Sequence, residues 1–109
     1  MSITGTSPEV VIRIKSRVAN GLAQLSSPLR AWAEAHLVTP RVITLFSGLT
    51  DSTTENYWLV TDATGKDDSS YRVIYTEDLD SFGLSVLLQG GRDCCLGFYG
   101  EFAETIESM

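Results

Sequence analysis

Apolar residues in the first third of the chain recur at helical spacing. Val11, Ile14, Val18, Leu22 and Leu25 follow one another at intervals of three and four, which places them on one face of a helix. Arg13, Arg17, Asn20 and Gln24 fall on the opposite, solvated face. Ser7-Pro8-Glu9 supplies a start signal: a capping hydroxyl, a proline at the first helical position and a carboxylate toward the positive end of the helix dipole. Gly21 interrupts the stripe at a cost of about 1 kcal/mol relative to alanine. The helix is therefore expected either to end near Asn20 or to run on to Leu25. Ser27-Pro28 repeats the start signal, and Leu29, Trp32, Ala33, His36 and Leu37 share the face of a second helix. Pro40 ends it by disfavouring helical geometry at Thr39. The short connection predicts an αα-hairpin.

After Pro40 the pattern changes to short runs of β-branched and aromatic residues. Strands are expected at 42–46, 56–62, 71–76, 83–89 and 94–98. Polar, glycine-bearing stretches between them read as turns and loops. In the final segment Phe102, Ile106 and Met109 line one face while Glu101, Glu104 and Glu107 point elsewhere, a short amphipathic helix. This order predicts an α+β fold: an N-terminal helical hairpin, an antiparallel sheet of about five strands and a short C-terminal helix, in a single domain spanning residues 1–109. Along the central strands both faces are apolar, with Tyr57 and Leu59 alternating with Trp58 and Val60. A sheet with one wet face would be more polar on that side. The pattern thus calls either for cover on both faces or for a face that binds a partner.

Composition adds limits. A chain of 109 residues with 43% hydrophobic and 20% charged residues can bury one core, which excludes intrinsic disorder. No apolar run approaches the length of a membrane span. Met1 to Ser7 carries neither the basic nor the apolar region of a secretory signal, and the expected location is the cytoplasm. The net charge of −6 argues against nucleic-acid binding. That charge is unevenly distributed: residues 1–41 are net +3 and residues 42–109 net −9. Either the two halves neutralise each other within the domain, or an acidic face meets a basic partner.

The residues that could carry chemistry form no recognisable set. Asp62, Asp67, Asp68 and Ser69 cluster around a loop, but their spacing is not that of a calcium-binding loop and Lys66 opposes a cation. One histidine and two adjacent cysteines cannot make a zinc site. Cys94 and Cys95, as strand neighbours, are expected to point one thiol inward and one outward. His36, on an apolar helical face, reads as a partly buried residue satisfied by one hydrogen bond. Gly90-Gly91-Arg92 reads as a hairpin turn rather than a phosphate cradle. No catalytic residue, metal or cofactor is assigned. The reading these features favour is a non-catalytic protein-binding module, of the kind used as an inhibitor or as an immunity protein against a basic toxin. Asp67, Asp68, Glu77, Asp78 and Asp80 would steer a basic partner, with Tyr57, Trp58, Tyr71 and Tyr75 as anchors. The alternatives are self-association as a homo-oligomer and a small ligand-binding protein or enzyme using a cysteine.

Overall fold

A computed structural model describes residues 8–48, 52–62, 71–87 and 93–109. The helix predicted from the first apolar stripe, α1, spans Pro8–Gln24. Its buried face is Val10, Ile14, Val18 and Gly21, with Val11 and Leu22 on the flanks. The stripe is thus rotated slightly from the one read in sequence, and Gly21 does not end the helix. A Cβ at Gly21 would stand 2.9 Å from the Cβ and Cδ2 of Phe102 and 3.2 Å from the backbone nitrogen of Ala103. The missing side chain is what lets the C-terminal helix α3, Phe102–Glu107, lie directly against α1. Accordingly α1 packs more extensively on α3 than on α2, Ser27–His36, its neighbour in sequence.

Leu37 caps α2 by donating its backbone N–H to the carbonyl of Ala33, and the first strand begins at that same residue. Strand β1 spans Leu37–Phe46, five residues earlier than expected from sequence. Pro40 lies inside it. The pairing shifts between Leu37, opposite Thr61, and Arg41, opposite Leu59, so Val38, Thr39 and Pro40 together face Val60. A proline has no N–H for a ladder and is accommodated at such a bulge. The other strands are β2, Thr54–Thr61, β3, Tyr71–Thr76, β4, Ser81–Leu87, and β5, Asp93–Gly100.

Each strand pairs antiparallel with the next, making an α+β fold of two N-terminal helices, a five-stranded antiparallel meander and a short C-terminal helix. The meander curls until its ends meet, with Phe46 of β1 beside Cys94 of β5 in a parallel pairing. Curling requires close strand approach at Gly83, where a Cβ would lie 2.3 Å from the carbonyl oxygen of Gly97. It also uses two register shifts between β4 and β5, which let the sheet bend.

This closure accounts for the two apolar faces. Trp58, Val60, Val73, Tyr75, Phe82 and Leu84 face the three helices and join Val10, Ile14, Val18, Phe102 and Ile106 in one core. The opposite face builds a second core from strand residues alone: Leu45, Tyr57, Leu59, Ile74 and Cys95, flanked by Val38, Ile43 and Phe98. Helices cover one side, and the sheet covers the other by curling on itself. Among the described residues no helix is long and apolar enough to cross a membrane.

Candidate functional site

The β3–β4 turn, Glu77 to Asp80, is fixed from several directions. The Trp58 indole N–H donates to Glu77 Oε2 at 3.3 Å, and the Asp80 N–H donates to the Glu77 carbonyl at 3.2 Å. Asp80 has a positive φ of 47°, a conformation that a short polar residue tolerates better than most. Its carboxylate accepts from the Tyr75 hydroxyl and from Arg17 of α1. Arg17 also donates to the Asp80 carbonyl at 2.7 Å and to Glu101 just before α3, while its guanidinium lies 5.3 Å from the centre of the Phe82 ring. The Tyr75 hydrogen bond, reinforced by the charges of Arg17 and Arg13, holds the Asp80 carboxyl below its usual range. Burial pulls against the Arg17 charge, but Glu101 and Asp80 more than offset it and hold its pKa up. Arg13 is held protonated by its hydrogen bond to Tyr75 and by the nearby Asp80 and Glu77.

One end of the molecule therefore gathers Glu77, Asp78 and Asp80 of the turn with Glu101 and Glu104 of the α3 start. Arg13 and Arg17 border them from α1. Leu79 stands at the tip of the turn with 65% of its surface exposed. The helical and acidic halves of the sequence do neutralise each other in part here, through Arg17. Asp78, Asp80, Glu101 and Glu104 nevertheless remain exposed. Glu101, Glu104 and Leu79 were missed in the sequence because the turn and α3 meet only through folding, whereas Arg17 was open to reading as a contact with the acidic half of the chain, which it makes. The one available signal was the i, i+4 spacing of Arg13 and Arg17 on the polar face of α1.

The residues expected to anchor a partner divide sharply. Trp58 is 1% exposed, Tyr57 4% and Tyr75 fully buried, so these three are core side chains and not surface anchors. The sequence reading is corrected on this point: their aromatic run reflects a sheet covered on both faces. Tyr71, at 40% exposure, stays at the surface. Asp67 and Asp68 lie outside the described residues.

A second polar group occupies the other end of the sheet. Arg72, with only 14% of its side chain exposed, pairs with Asp93 of β5 and with Asp62 at 3.7 Å, and Asp62 also meets Arg41 at 3.3 Å. Desolvation pulls the Arg72 pKa down against the attraction of Asp62. Asp62 is thus occupied by arginines, while the other members of the acidic loop read as a metal candidate lie outside the described residues.

The two thiols are both free and both buried. This corrects the expectation of one outward thiol, and the cause is again that both sheet faces are covered. Burial pushes the Cys95 thiol up, with only partial compensation from the Gly97 backbone and the Tyr57 hydroxyl. A raised pKa leaves little thiolate at neutral pH. His36 is buried, stacks on Trp32 with ring centres 4.3 Å apart, and has Nδ1 2.7 Å from the Trp32 carbonyl. Among the described residues no cluster of three or more His, Cys, Asp or Glu side chains could hold a metal.

No family model matches this sequence, and no curated protein or solved structure is significantly similar to it.

Proposed function

We propose that this chain is a non-catalytic binding module for a basic protein, acting in the cytoplasm as an inhibitor or immunity-type partner. The observation that carries the reading is the acidic end built from Glu77, Asp78, Asp80, Glu101 and Glu104 around exposed Leu79. Like charges gathered at one end raise the encounter rate with an oppositely charged surface, and a central apolar side chain gives that surface something to desolvate. The turn is fixed before any partner arrives, so little ordering cost would fall on binding. Two free, buried thiols fit a reducing compartment. The negative balance of the chain disfavours nucleic acid as the partner.

The test is capture at low salt followed by a salt titration, comparing the wild type with Asp78→Lys and Leu79→Ala. The reading expects a basic protein whose association slows with added salt and is weakened by both substitutions. Binding that is indifferent to salt and to Asp78→Lys would remove it.

Self-association is the second reading. It is favoured by Leu96 and Tyr99, both exposed on β5 beside the point where the sheet closes. Sedimentation of a monomer at high concentration would end it.

A further inference from the structure

We draw no further inference here: the strongest candidate, the exposed apolar patch of Leu96 and Tyr99 on β5, the two residues passed over at the register shifts of the β4–β5 ladder, carries nothing beyond the self-association reading already given, because nothing in the structure shows what covers it.

Discussion

Arg17 on the first helix holds Asp80 by both its carboxylate and its backbone carbonyl, 63 residues away in sequence, while also reaching Glu101. One side chain thereby joins α1, the β3–β4 turn and the start of α3. It does so over the Phe82 ring, with most of its own surface covered. Arg17→Ala should cost about 1–3 kcal/mol, the range for losing hydrogen bonds to charged partners. Equilibrium urea unfolding measures it. Arg17→Lys should recover only part, because an ammonium cannot reproduce the planar fork.

The same pair gives the protein a pH dependence. The folded Asp80 carboxyl has a lowered pKa, chiefly through the Tyr75 hydrogen bond. A carboxyl of this kind contributes stability that is present above its unfolded pKa, about 4, and is lost as pH falls through the folded value. The stability gap between wild type and Asp80→Asn should therefore be full at pH 6 and close as the solution is taken below about pH 4. Asparagine keeps the positive φ accessible, so this comparison isolates the charge. Denaturant midpoints of the two proteins across that range are the measurement.

Gly21→Ala should destabilise, against the usual gain from alanine in a helix. The new Cβ would meet the Phe102 side chain and the Ala103 nitrogen inside 3.3 Å, and overpacking of this kind costs about 1–3 kcal/mol. Phe102→Leu in the Gly21→Ala background should recover little of the loss, because leucine keeps the Cβ that the new methyl meets and leaves the Ala103 nitrogen in place. Thermal midpoints of the two variants decide it.

Breaking the Arg72 cluster should be expensive. Arg72→Met leaves Asp93 without its guanidinium partner in a mostly covered site, and a loss of about 3 kcal/mol is expected. Adding Asp93→Leu should restore much of it, since an apolar pair of similar volume does not carry the desolvation cost. A double-mutant cycle reads the coupling.

The four aromatic residues of the central strands should also separate in a truncation series. Trp58→Ala is expected to cost about 3–5 kcal/mol, whereas Tyr71→Ala should stay within about 0.5 kcal/mol. In the native state both cysteines should react with a thiol reagent more slowly than free cysteine, and at its rate once the chain is unfolded in urea.

Much of the architecture was legible in the sequence for a local reason. The helices and strands announce themselves by periodicity, and β3 was read to the residue because Tyr71 to Thr76 is a compact β-branched and aromatic run between polar stretches of sequence. The start of β1 was not legible, because Pro40 speaks against both helix and strand until a bulge is known to hold it. Closure of the sheet was not legible either. It depends on Gly83 approaching Gly97 and on Phe46 meeting Cys94, neither of which leaves a periodic trace. Missing that closure turned a core aromatic, Tyr57, into an apparent surface anchor, while Trp58 and Tyr75 are covered by the helices. At the acidic end, Glu77, Asp78 and Asp80 could be read as a polar turn, but Glu101 joins them only through Arg17, a contact set by tertiary packing.

The Phe46–Cys94 pairing also bears on how the chain assembles. The four hairpin pairings join strands adjacent in sequence, so each closes a short loop. The pairing that shuts the curl spans 48 residues and occurs at the end of β1 and the start of β5. The meander can therefore zip from its hairpins, with the seam formed last. In the finished molecule that seam should also be the first part to open. Amide protons along the outer edges of β1 and β5 should exchange well ahead of those in β3, which is paired on both sides.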